Sequence, residues 1–359
     1  MTAPQKPSPL AALRRRGWPA WLALLLVIVV LVEIILVCGN SSLFHLIIPL
    51  VTGLTRPANP DNVGQAVNSI AFSPDGALLA AGSDDGLVRL WPVAGESQLR
   101  EFVASPRSVA AIAFSSDSAL LAAASLDGAA HIWQLDGRRL HIFDHDSPLR
   151  ALAFSPDGRA LVTGDWQGVL RLWSVADGTL SRQLSAHRDW ISRVAFSPDG
   201  RFLASASNDG SLKVWDAATG ALVHTLEHPG PVLSMAFSPD GKTLAGGVFG
   251  HGLYLWQVDT GALRQILETD IPVWDLAFSP QGAHLGAGTD AGLQMWPVGD
   301  ETALEMPDQP PGSILSVAFS PDGDLVVGGT REGQVYIWET ETGRLTITEF
   351  GHSGTESTQ

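Results

Sequence analysis

A histidine, a serine and an aspartate lie close together in the chain at His187, Ser207 and Asp209, the residue types of a nucleophilic triad. Aspartates recur at Asp75, Asp157, Asp199, Asp240 and Asp322, and carboxylates are the ligands calcium prefers. His251 and His284 are further side chains a metal could use. Spacing argues against each of these chemistries. Every one of those five aspartates stands alone in Ser-Pro-Asp-Gly, where Pro presets φ and Gly accepts φ > 0, so a turn explains it better than a calcium site. His251 and His284 have no partner at metal-ligand spacing, and Gly246-Gly247 precedes no Gly-Lys-Ser that would cradle a phosphate. The single cysteine, Cys38, excludes an intrachain disulfide framework and a cysteine zinc cluster. With 22 basic and 37 acidic residues the net charge is −15, which argues against a binder of nucleic-acid backbone. The expectation is a protein with no enzyme signature, no cofactor and no metal.

The elements that must position these residues are repeats. Ala-Phe-Ser-Pro-Asp-Gly and its variants recur with phenylalanines at Phe72, Phe114, Phe154, Phe196, Phe237, Phe278 and Phe319, at gaps of 40 to 42 residues. A tryptophan follows each, at Trp91, Trp133, Trp173, Trp215, Trp256, Trp296 and Trp338, 19 residues later in six units and 18 in the sixth. That period belongs to a four-stranded propeller blade. In the fourth unit Ile191–Phe196, Leu203–Ser207, Ser211–Trp215 and Ala221–Leu226 read as strands separated by Gly-containing turns. No helical period interrupts them. Seven such units, each too small to stand alone, imply an all-β fold, a closed seven-bladed β-propeller of four-stranded antiparallel blades over residues 67–350.

These repeats resemble the WD-repeat β-propeller family, although the literal Trp-Asp pair survives only as Trp215-Asp216. The family's histidine, nine residues before the Phe, matches His145, His187 and His228; its serine or threonine, eight before the Trp, matches Ser83, Ser125, Ser207 and Thr330. Its turn aspartate matches Asp85, Asp127, Asp209 and Asp290. The resemblance implies that His187, Ser207, Asp209 and Trp215 form a structural hydrogen-bond network rather than a triad. The third unit departs, with Asp165 and Gln167 at the serine and aspartate places, and the fifth departs further, with Val248 and Gly250. The family's partners often dock on the top face, which here presents Arg150, Trp166, Trp190, Asn208, Phe249 and Trp274 in the middle blades. The outer blades offer mostly small residues such as Ala66, Ser108, Ala110 and Ser313. Trp and Arg are the types enriched in binding hot spots.

The N-terminal region is a different material. Residues 1–17 are polar and basic, with Lys6, Arg14, Arg15 and Arg16 and no acid. Residues 18–38 are apolar apart from Glu33, and as a helix they would span roughly 32 Å, enough for a bilayer core. Trp18 and Trp21 stand at one end, where amphipathic rings favour the interface. The expectation is one retained transmembrane helix; a cleaved signal peptide or lipidation at Cys38 are the alternatives. The basic cluster just before the span places the N-terminus in the cytoplasm and the propeller outside, in a single-pass cell-membrane protein. Residues 39–66 read as a linker with Pro57 and Pro60, and residues 351–359 as a disordered tail.

Together these readings point to a membrane-anchored, non-catalytic scaffold that binds a protein or peptide partner, with no nucleic acid involved. An extracytoplasmic hydrolase or lyase with its site at the central channel is the competing class. For ring closure, Gly343–Phe350 is expected to complete the seventh blade, with Leu46–Val51 as the alternative closing strand.

Overall fold

The computed structural model describes residues 66–93, 100–304 and 306–347. The expected transmembrane helix, its flanking basic tail, nearly all of the linker including Leu46–Val51, and the C-terminal tail lie outside the described residues. Among the described residues no helix is long and apolar enough to cross a membrane.

Each repeat folds as one antiparallel sheet. The seven sheets begin at strands Val67–Phe72, Val109–Phe114, Leu149–Phe154, Ile191–Phe196, Val232–Phe237, Val273–Phe278 and Ile314–Phe319. Six sheets have four strands; the sixth has three among the described residues, with Leu304 N–H bonded to Met295 O at 2.7 Å where an outer strand would pair. The outermost strand of the seventh sheet, Leu345–Ile347, pairs with Val335–Glu339. The first strand of each sheet packs against the first strands of both neighbours, the seventh against the first included, so the seven inner strands line a central channel.

The Phe-Ser-Pro-Asp-Gly turns make this possible locally. In the fourth blade Ser197 Oγ donates to Asp199 Oδ1 at 2.6 Å, and Arg201 N–H donates to the same oxygen at 3.0 Å. Phe202 N–H donates to Ser197 Oγ at 2.9 Å, and Gly200 takes φ +72°. The Ser197 hydroxyl first, then Arg201 N–H, hold the Asp199 carboxyl below its ordinary pKa. The recurrent aspartates at Asp75, Asp157, Asp240 and Asp322 make the same serine bond, as a turn role requires.

The seven repeat tryptophans form the seams. Trp215 packs in a cluster with Val162, Leu170 and Leu172 of the preceding blade, and Trp173 with Ile132 and Phe143. Trp91 joins Val327, Val335 and Ile337, which closes the ring between the seventh blade and the first. Burial of each such ring contributes about 2–3 kcal/mol, so the seams carry most of the cohesion. Close approach demands small residues on the second strands: a Cβ at Gly329 would stand 2.4 Å from Val67 Cγ1 across the closing seam.

Candidate functional site

Two sets of polar side chains are built on this frame, one inside the blades and one on the top rim. The inner set differs from the sequence expectation. In the fourth blade Trp215 Nε1–H donates to Ser205 Oγ at 3.0 Å, Ser205 lies 2.7 Å from His187 Nε2, and His187 Nδ1 lies 3.1 Å from Asp209 Oδ2. The bridging hydroxyl is therefore Ser205, not Ser207. Trp215 stands opposite Leu203, and at about 3.3 Å per residue Ser205 is two residues along the same face while Ser207 is four, beyond the reach of the indole. Ser207 instead donates to Trp190 O at 3.0 Å and accepts from Asp209 N–H at 3.0 Å, which ties the turn to the rim loop. Asp209 also accepts from Arg188 N–H and Ser211 N–H, each at 3.0 Å. Burial opposes its charge, but the His187 ring, Arg188 N–H and Ser211 hydroxyl outweigh that and hold its carboxyl well below the usual range. The carboxylate keeps the His187 proton on Nδ1, so Ser205 donates to Nε2.

The third blade, where the sequence departs from the family pattern, also holds a network. Trp173 Nε1–H donates to Thr163 Oγ1 at 2.9 Å, and Thr163 lies 2.9 Å from His145 Nε2. Arg171 Nη1 contacts His145 Nδ1 and donates to Asp165 Oδ2 at 3.2 Å. His145 Nδ1 also lies 3.6 Å from Asp165 Oδ2, so the imidazole, the guanidinium and the carboxylate form one buried cluster. Burial lowers the His145 pKa, with the Asp165 bond opposing. In the fifth blade the tenth residue before the Trp is Gly246, and the bridge is missing: Trp256 Nε1–H donates straight to His228 Nε2 at 3.0 Å. A hydroxyl ten residues before the Trp, present only as Thr163 and Ser205, is the sequence signal for a bridged network.

The rim set rests on a repeated backbone feature. Every inner strand bulges at its second residue, which places Asn68, Ala110, Arg150, Ser192, Leu233, Trp274 and Leu315 out of register at the top of the channel. Bulges re-aim a side chain in this way. At the first seam Asn68 Nδ2–H donates to Asp84 Oδ1 at 2.8 Å, and Ser108 Oγ donates to the same oxygen at 2.8 Å. The sixth seam repeats the pattern: Trp274 Nε1–H donates to Asp290 Oδ1 at 2.8 Å and Ser313 Oγ donates to it at 2.7 Å, while the Arg331 guanidinium lies 5.5 Å from the Trp274 ring centre. The outer blades are thus not limited to small residues at the rim, since Asn68, Asp84 and Arg331 belong to it.

The sequence-selected rim residues divide. Arg150 stacks over Trp190 at 4.7 Å, and Trp166, 43% exposed, has its backbone N–H bonded to Pro148 O beside the start of Arg150's strand. Asn208 is turned inward instead: it is 6% exposed and its amide donates to Asp189 Oδ2 at 2.8 Å, which braces the Trp190 loop. Phe249 is half-buried on the fifth blade, and Trp274 stands at the other seam with Arg331. Sequence reasoning missed the channel pair. Arg193 Nε–H donates to Asp275 Oδ1 at 3.3 Å from the fourth blade to the sixth, and Asp275 Oδ2 also accepts from Ser316 Oγ at 2.7 Å and Val317 N–H at 3.1 Å. The Asp84 and Asp275 carboxylates are thus both tied down by donors of the fold. Burial first, then the Arg193 charge, press the Arg150 guanidinium down to about 10, with Asp84 opposing. Among the described residues no group of three His, Cys, Asp or Glu could hold a metal ion.

Comparison with known proteins agrees with this architecture. The profile of the IFT122 first beta-propeller matches residues 148–353, and that of the WD domain, G-beta repeat, matches residues 60–92 and 96–134. The uncharacterized WD repeat-containing protein alr3466 of Nostoc sp. is 50% identical over 42 residues, 12% of this chain and 3% of that protein. The human WD repeat-containing protein 86 is 41% identical over 49 residues, 14% of this chain and 13% of that protein. The matched stretches are about one repeat long and span only a small part of either relative. Seven sheets with a tryptophan in every seam, matched over more than half the chain by one propeller profile, make this chain a member of the WD-repeat β-propellers, in the family of the IFT122 first beta-propeller.

Proposed function

We propose that this chain is a non-catalytic scaffold that receives a protein or peptide partner on the top face of its propeller. The observation that carries this reading is the pair of rim indoles held beneath arginines, Trp190 under Arg150 and Trp274 under Arg331. Both rings are half-buried with their loops braced by hydrogen bonds, so little conformational entropy would be lost when a partner covers them. Trp and Arg are among the residue types enriched in the few hot spots that dominate protein interfaces. Crosslinking pull-downs from intact membranes with wild type, Trp190→Ala and Trp274→Ala test it: both variants should lose captured partner while staying folded. Unchanged capture by both removes the top face as the site.

Residues 18–38 would anchor the chain, with Arg14–Arg16 in the cytoplasm and the propeller outside. Protease added to spheroplasts should digest the propeller or the linker of residues 39–66. Complete protection until lysis would overturn this placement, and recovery of a soluble mature chain that begins after residue 38 would show cleavage in place of anchoring.

A further inference from the structure

Arginines of the blades and of the rim are not equivalent. Arg193 has Asp275 at 3.3 Å, Arg331 has Asp290 at 3.9 Å, Arg171 has Asp165 at 3.2 Å and Arg89 has Asp85 and Glu101, each at 2.8 Å. Arg150 has no carboxylate within 4.0 Å among the described residues. Its guanidinium is packed on the Trp190 ring, half-buried at the channel mouth, and among the described residues the five N–H donors of its fork are uncommitted to any acceptor. The exposed Trp166 flanks the same strand end through its bond to Pro148. The like charge of Arg193 acts on Arg150, and Asp84 is the acid that acts on it from the first blade, but that carboxylate is engaged by Asn68 and Ser108. A half-buried cation stacked on an indole, on a chain of net charge −15, is a local exception to the electrostatics of the molecule.

We infer that Arg150, stacked on Trp190, is the receptor for one carboxylate of the partner, an Asp or Glu side chain in an extended peptide segment with an apolar residue beside it. This deepens the top-face reading and rests on it. The planar fork matches a carboxylate through two parallel hydrogen bonds, which an ammonium cannot reproduce. The net charge of −15 on the chain would repel a polyanion while a single negative group could still pair with this cation, so charge sets the register of the partner and not only its attraction. The Trp190 ring supplies a flat apolar wall for the neighbouring residue, and the exposed Trp166 lies on the same blade end.

The test uses the full chain and a phage-displayed library of randomised linear dodecapeptides. Selected peptides should share one acidic position next to an apolar or aromatic residue. Changing that acid to its amide should weaken binding by about 10- to 100-fold, and Arg150→Met should weaken the parent peptide equally while abolishing the difference between acid and amide. Arg150→Lys, which keeps the charge and the packing but loses the fork, should retain only part of the preference and guards against a folding defect in Arg150→Met. Peptides that need Trp166 or Trp190 but show no acid preference, or an acid preference that persists in Arg150→Met, would overturn this inference and leave the top-face reading standing. Stronger binding when the acid is replaced by phosphoserine would assign the site to phosphate and overturn the carboxylate. Failure to enrich any peptide that depends on Trp166, Trp190 or Trp274 would remove the top-face reading and this inference with it.

Discussion

The fourth and fifth blades have the same fold and opposite interiors. In the fourth, Trp215, Ser205, His187 and Asp209 form a continuous chain whose last member receives three further donors. In the fifth, Gly246, Val248 and Gly250 replace the polar positions, Trp256 bonds directly to His228, and His228 Nδ1 is buried without a hydrogen-bond partner. The sheet, the seam and the tryptophan are common to both, so the network is not what makes a blade. It fixes how the turn and the rim loop above the blade are held, through Ser207 to Trp190 and through Asp209 to Arg188. The braced loop carries the Arg150–Trp190 stack.

The comparison breaks most visibly at Asp209. Asp209→Ala strands the His187 ring, Arg188 N–H and the Ser211 donors together, and should cost about 3 kcal/mol, measured by denaturant unfolding of wild type and variant. Local opening should begin at the fourth blade, seen as early loss of amide protection in Ser205–Ser211. A cost under about 1 kcal/mol would show that the network is decorative.

Ser205 and Gly246 occupy the same place in their blades. Ser205→Ala leaves the Trp215 N–H and His187 Nε2 without a bridge and should cost about 2 kcal/mol, more than Ser207→Ala at about 1 kcal/mol. The reverse order would restore Ser207 as the bridge. Gly246→Ser offers the fifth blade the missing hydroxyl, yet its Cβ would stand 2.6 Å from Leu212 Cδ1 in a fully buried cluster, so it should destabilise by about 2 kcal/mol through overpacking.

Acid separates the two blades by window. Burial pushes the His228 imidazole down to about 4 from its ordinary 6.5. Between those values the unfolded chain binds a proton that the folded chain refuses, so stability is full above pH 6.5 and falls as pH drops toward 4, by about 2 kcal/mol after allowance for partial exposure. Asp209 is depressed, so its contribution is present above the ordinary 3.8 and is lost only as pH falls below that. Thermal melts from pH 7 to 4 should therefore show a Tm decline that His228→Gln flattens in part, while the decline of His131 and His145, also lowered by burial, remains. An unchanged slope in His228→Gln would refute the assignment.

Trp190→Ala and Trp274→Ala should have the smallest effect on folding, below about 1 kcal/mol, and a larger one, about 2 kcal/mol, on partner binding. Large Tm losses with binding intact in the folded fraction would return both rings to a packing role.

The positions of Phe and Trp at a period near 41 residues, the Ser-Pro-Asp-Gly turns and the small residues of the second strands determined seven sheets and their turns, because hairpin register and turn type are set by neighbours in the chain. The selection of Arg150, Trp190 and Trp274 for the rim also came from position within the repeat. Tertiary structure decided the rest. Whether Ser205 or Ser207 meets Trp215 depends on a diagonal between two strands, a distance that position in the repeat does not reveal. Asn208 was turned inward by an aspartate of the neighbouring loop, Asp189. The Arg193–Asp275 pair joins residues 82 apart, and the Arg331–Trp274 stack joins the seventh blade to the sixth. The first of these needs the curvature of the ring and the second the packing of neighbouring blades, because no local rule brings the strands of different repeats together.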